Sequence, residues 1–207
     1  HGMAVNNGDR PTGTLSKRFA VWRAGFARPA TGFQSQPEPR SIGLFARGRQ
    51  LISGNFLFAG QLVQAPGKSV WEAAAPGSAF AAEAQGFVWL DDLAAVGDSA
   101  ARARAQDWTY GWISRFGHGQ GPGWTPDLTG RRIIRWINHS VVLLQGRARA
   151  DTDAYFRALT VQTVYLSRHW TRAAPGLPRF EALTGLIVAG LALEGKSGLV
   201  GPAVQAL

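Results

Sequence analysis

The segment GWTPDLTGRRIIRWINH, residues 123–139, sets Arg131, Arg132 and Arg135 between Trp124 and Trp136 and closes on Asn138 and His139. Guanidinium groups carry permanent charge in a planar fork that matches a carboxylate or a sulfate. An indole offers a flat apolar face on which a sugar ring can stack. Asn138 and His139 add hydrogen bonds, and histidine titrates near neutrality. These residue types suit a grip on an acidic ligand. Read as a helix over 126–145, the segment puts Ile134, Ile137, Val141 and Leu144 on one apolar stripe. Arg131, Arg135 and Asn138 form a second line, and Arg132, Trp136 and His139 a third beside it. The plainer alternative is a solvated face, with arginines paired to acidic neighbours and Trp136 in the core.

Other residues could extend such a site. Trp108, Tyr110 and Trp112 cluster on the preceding helix, and Trp89 lies one helix earlier. Aromatics gathered at one rim would suit a carbohydrate cleft, although most buried tryptophans are core anchors. A glycosidase needs two carboxylates across a cleft, for which Asp91, Asp92, Asp127 and Glu181 are available. Each is read more simply as a helix-surface or capping charge. Tyr155 and Tyr165 are conceivable proton-transfer phenols, or core residues. His118, His139 and His169 fall on separate segments without carboxylates at ligand spacing, so no metal site is expected. No P-loop, GxGxxG, GxSxG or HExxH pattern occurs, and no cofactor is expected. The absence of cysteine excludes disulfides, thiolate zinc sites and cysteine nucleophiles.

The elements that would carry these residues are helical. Leu15–Ala27 reads as a short amphipathic helix with Phe19, Val21, Trp22 and Phe26 inward. NFLFAGQLVQ has the aromatic and β-branched content of a hairpin. From Ser78 onward, five helices of four to five turns are expected, joined by short connections. Gly97 ends the first, Asp98 or Ser99 opens the second and Gly117 stops it. Thr125 caps the third, with Pro126 in its first turn. Short loops imply antiparallel αα-hairpins. The fold expected is all-α, an incomplete α/α toroid after a short irregular or hairpin-like N-terminal segment. Residues 1–14 read as a tag remnant and disordered lead, 15–77 as the N-terminal segment, and 78–207 as the toroid portion. Because AVQAL stops inside an apolar pattern, the chain is expected to be a piece of a longer protein with a further C-terminal domain.

The net charge is +9, with 22 basic residues of which all but Lys17, Lys68 and Lys196 are arginine. That excess suits an anionic partner, or reflects a compositional bias toward Arg, Ala and Gly. No helix-turn-helix or RNA-binding signature accompanies it, so nucleic acid is not the expected partner. No apolar run approaches 18 residues. No helix is read as joining a Lys/Arg face to a clean apolar face, so no membrane partner is expected.

The run FVWLDDLAAVGDSAARARAQDWTYGWISRF, followed by GPGWTPDLTGRRIIRWINHSVVLL, resembles the N-terminal helical domain of heparinase II/III-like proteins. The shared features are a WLxDLA helix, a helix ending in a Trp-containing segment, and a W-x-S/P-x-L…R-x-x-x-W helix, over roughly residues 40–195. The resemblance implies a bacterial protein with an α/α toroid followed by a β-sandwich domain. It implies β-elimination on a uronic-acid-containing polysaccharide, with Asn or Arg on the uronate carboxylate and Tyr and His as base and acid. On that basis Trp124, Arg132, Arg135, Trp136, Asn138 and His139 are the expected glycan-binding residues, and Asn138 and His139 the candidate catalytic ones. One departure stands out: Leu177 and Pro178 occupy the place where active lyases carry an Asn-His pair. The alternative is a non-catalytic glycan-binding or scaffolding domain. No signal peptide is visible, and the compartment, cytoplasmic or periplasmic, stays open.

Overall fold

The computed structural model describes residues 12–35 and 43–207. The expected lead over 1–14 lies almost wholly outside them. The described chain is mostly helical, with one two-stranded antiparallel sheet.

Helix α1, Thr12–Ala24, packs on α8, Arg149–His169, through Val21 and Ala24. The turn after α5 (Ser99–Phe116) closes on it: a Cβ on Gly119 would lie 3.1 Å from Cα of Arg18. Gly119 also has φ +92°, so two independent constraints select glycine there. The inward face expected from the sequence is only partly realised. Val21 is buried, but Phe19, Trp22 and Phe26 are exposed.

Helix α2, Phe45–Ile52, leads into β1, Asn55–Phe58, and β2, Gln61–Gln64. The hairpin has Phe58 opposite Gln61, leaving Ala59 and Gly60 as a two-residue loop. Both have positive φ, as a type I′ turn requires. Alanine is a poor residue for that position. Its N–H is held at 2.9 Å by a Glu83 carboxylate oxygen, a bond that fixes the turn from outside.

The first long helix expected from Ser78 is two. Helix α3, Ser78–Gln85, stops at Gly86, and α4, Val88–Val96, begins after Phe87, which is left-handed at φ 62°. Fully buried Phe87 meets Trp89, Trp112 and Trp136, and that packing offsets the strain. Gly97 closes α4 at φ 70° and Asp98 caps α5 through Ala101 N–H at 2.8 Å, both as the sequence implies. The third expected helix is also broken. Helix α6, Pro126–Asn138, ends at His139, and α7 is only Ser140–Leu144. Thr125 is the capping residue by position, yet its hydroxyl is buried without a partner.

Helix α9, Leu177–Ala192, packs most extensively not on a sequence neighbour but on α6. Helix α8 touches α1, α5, α6 and α9, and α10, Val200–Ala206, leans on α9. Between these layers lies an aromatic core of Trp89, Trp108, Trp112, Trp124 and Trp136 with Tyr155 and Tyr165.

Candidate functional site

The helix breaks at His139, and within α6 the buried face differs from the expected stripe. Of the stripe assigned to Ile134, Ile137, Val141 and Leu144, Ile137 alone is fully buried. Thr129, Arg132, Ile133, Trp136 and Ile137 are buried, whereas Ile134 is half-buried and Val141 exposed. The polar line read as wet therefore faces the core. Arg132 and Trp136 are both 0% exposed, Trp124 is 1% and His139 is 2%. In this arrangement none of the four reaches a polymer at the surface. Asn138 is half-buried and is not brought to a shared surface site with them.

Arg132 sits 4.3 Å from the Trp112 ring centroid and 5.6 Å from that of Trp124. Its Nε donates to Gln162 Oε1 at 2.6 Å, and its Nη1 to the carbonyls of Gln85 and Gly123 at 3.0 and 3.1 Å. Its Nη2 donates to Thr129 Oγ1 at 3.2 Å. No carboxylate takes part. Burial pulls the guanidinium pKa down to about 9, which leaves it charged at neutral pH. Dispersed carbonyl dipoles and ring faces replace water around it. Gly123 is required by this cage, because a Cβ there would strike the Gln85 side chain.

Arg135 and His139 converge on Asp91. Arg135 Nε donates to Oδ2 at 3.0 Å, and His139 Nε2 lies 2.7 Å from Oδ1. Burial works to raise the Asp91 pKa. The His139 bond and the Arg135 charge outweigh it and hold the carboxyl below its ordinary value. Adjacent Asp92 behaves oppositely: burial raises its pKa, only partly offset by the bond it accepts from Leu44 N–H at the start of α2. Asp127 and Glu181 flank Arg131, Glu181 at 2.5 Å. All four carboxylates thus serve pairing or capping. The two tyrosines are core groups. Tyr155 donates to the Trp136 carbonyl and Tyr165 to that of Trp124, and burial raises both pKa values. Among the described residues no cluster of His, Asp and Glu could hold a metal ion.

Two places are open to solvent and chemically distinctive. The first is α1. Leu15, Phe19 and Trp22, spaced by four and three residues on α1, and Phe26 in the turn after it form an outward strip. Trp22 is 60% exposed and Phe26 72%. The rings are continuous, with Phe19 to Trp22 at 5.7 Å and Trp22 to Phe26 at 4.8 Å. At 100° per residue the strip lies opposite Val21 and Ala24, and exposed Arg18 and Arg23 flank it on either side. Beside it runs a groove of about 830 Å³ between α1, the end of α5 and α8. The second place is a cleft of about 300 Å³ at Trp71, with Lys68, Arg104, Arg115, Glu72 and Asp107 on its walls.

The sequence marks α1 as a helix but points its large aromatics inward, because its apolar residues fall on two opposite faces, small ones inward and large ones outward. The exact spacing of Leu15, Phe19, Trp22 and Phe26 was the available signal.

Fold and site together define a helical domain with an aromatic core and an outward aromatic-basic helix. No family model matches the chain, and no solved structure matches it. The chain is similar to FtsZ-localized protein C of Caulobacter vibrioides, with 31% identity over 183 residues. The match takes in 85% of this chain but only 30% of that relative's length. No helix among the described residues is long and apolar enough to cross a membrane.

Proposed function

We propose that this chain is a non-catalytic scaffolding domain that lies on an anionic membrane surface through α1, in a protein that gathers where FtsZ assembles. The membrane part rests on one observation: the exposed Leu15, Phe19, Trp22 and Phe26 strip, set opposite the packed face of α1 and flanked by arginines. A folded domain has little reason to hold three large aromatics in water beside cations, and aromatic rings next to arginines are groups that settle among lipid headgroups. The FtsZ part rests on the name of the similar protein. Vesicle co-sedimentation tests the first part. The chain should pellet with phosphatidylglycerol-containing vesicles and not with pure phosphatidylcholine, and release by salt is expected. Failure to pellet with either overturns the surface reading. A fluorescent fusion that ignores FtsZ position would overturn the second part.

A second reading keeps the resemblance to heparinase II/III-like proteins: an α/α-toroid portion that binds acidic glycan for β-elimination. The Trp71 cleft favours it, since it sets a half-buried indole beside Lys68, Arg104 and Arg115. Under this reading the cleft, not the Arg132 helix, meets the glycan. Ultraviolet absorbance of an unsaturated uronate, sought with the full-length protein and a panel of uronate polymers, separates the two readings.

A further inference from the structure

The groove beside α1 has a composition of its own. Its floor is apolar, from Val21, Ile113, Ala158 and Val161, with Ala154 further along α8. Its polar lining consists of Arg18, Arg157 and His118, and no carboxylate among the described residues lines it. Arg18 and Arg157 are exposed, and neither makes an ion pair within 4 Å among the described residues. A volume of about 830 Å³ falls within the range of about 300–1,000 Å³ typical of sites that enclose a small ligand. The exposed strip forms one lip, so the groove opens at the face that the reading above lays against lipid.

We propose that this groove holds one anionic phospholipid, with an acyl chain along the Val21, Ala158 and Val161 floor and the phosphate between Arg18 and Arg157. The proposal rests on the membrane-surface reading and deepens it, from general adsorption to capture of a single lipid. Three features favour lipid over an acidic peptide. The floor offers no hydrogen-bonding side chain to a peptide backbone, the cations sit at the rim, and the groove is continuous with the aromatic strip.

The test uses soluble lipid without a bilayer. Dioctanoyl-phosphatidylglycerol, kept below its micelle concentration, is titrated into the chain and followed by calorimetry and native mass spectrometry. One lipid per chain is expected, with dioctanoyl-phosphatidylcholine weaker by about tenfold, the equivalent of one well-placed charge contact. Ala154→Trp, which fills the groove, should abolish binding. Arg18→Glu with Arg157→Glu alters only exposed groups and should also abolish it, which keeps the test decisive if Ala154→Trp fails to fold. No binding of soluble lipid by a chain that still pellets with vesicles overturns the groove and spares the surface reading. Binding of soluble lipid by a chain that does not pellet keeps the groove and removes the surface reading. Equal binding in both variants overturns the proposal, as does saturation by an acidic amphipathic peptide that the lipid cannot displace.

Discussion

Gly130 and Gly185 meet where α6 crosses α9: a Cβ on Gly185 would lie 2.5 Å from Cα of Gly130 and 2.7 Å from its carbonyl oxygen. A Cβ on Gly130 would in turn strike the backbone at Glu181 and Ala182. The most extensive helix pairing in the chain therefore depends on two missing side chains. In an ordinary helix interior, alanine stabilises by about 1 kcal/mol over glycine. Here overpacking reverses the sign, by about 1–3 kcal/mol. Gly185→Ala should lower the melting temperature by about 2–12 °C, given about 2–4 °C per kcal/mol for a chain of this size. A scanning calorimetry trace with unchanged or raised melting would contradict the close crossing.

Arg132 is expected to behave as a core residue. Arg132→Ala strands the Gln85 and Gly123 carbonyls and the Gln162 amide oxygen, each worth about 1–3 kcal/mol when buried and unpaired. A loss of about 3 kcal/mol or more should appear in urea unfolding. A fully stable Arg132→Ala protein that had lost only glycan affinity would restore the surface-site expectation.

Asp91 links stability to acid. Its folded pKa lies below the ordinary value of about 3.9, so it contributes stability that is fully present above that value. The contribution is lost as pH falls through the folded pKa. Urea midpoints measured from about pH 5 down to about pH 2 should decline less steeply in Asp91→Asn than in the parent. Asp92 has the opposite sign, because a raised folded pKa favours the protonated, folded form as pH falls. Asp92→Asn should therefore steepen the same decline.

The strip on α1 should separate stability from binding. Phe19→Ser combined with Trp22→Ser changes exposed side chains, and each surface substitution is expected to shift stability by no more than about 0.5 kcal/mol. Pelleting with phosphatidylglycerol-containing vesicles should be lost while the melting temperature holds. Unchanged pelleting would show that α1 is not the contact.

Local punctuation was readable in the sequence. Gly97, Asp98 and Gly117 end and open helices where their backbone chemistry requires, and NFLFAGQLVQ pairs as a hairpin. Features that depend on distant partners were not readable. Nothing near Phe87 announces a left-handed residue, because its compensation comes from Trp112 and Trp136 on other helices. The Arg132 environment is assembled by residues 30 and 47 positions away, which no helical period encodes. The burial of His139 follows the same logic, since its ring meets Asp91, 48 residues earlier. The helical period sets Arg132 and Trp136 on one line of α6, but it does not tell whether a line that carries a permanent charge faces water or core; here it faces the core.

The Arg132 cage also bears on how the chain folds. Its bonds come from the end of α3, the turn before α6, α6 itself and α8. None of these segments can satisfy the charge alone, and a collapsed chain with one of them misplaced would trap a cation in a dry interior. Partly ordered compact forms are thus selectively penalised, and assembly of these four segments is expected to occur as a single cooperative event.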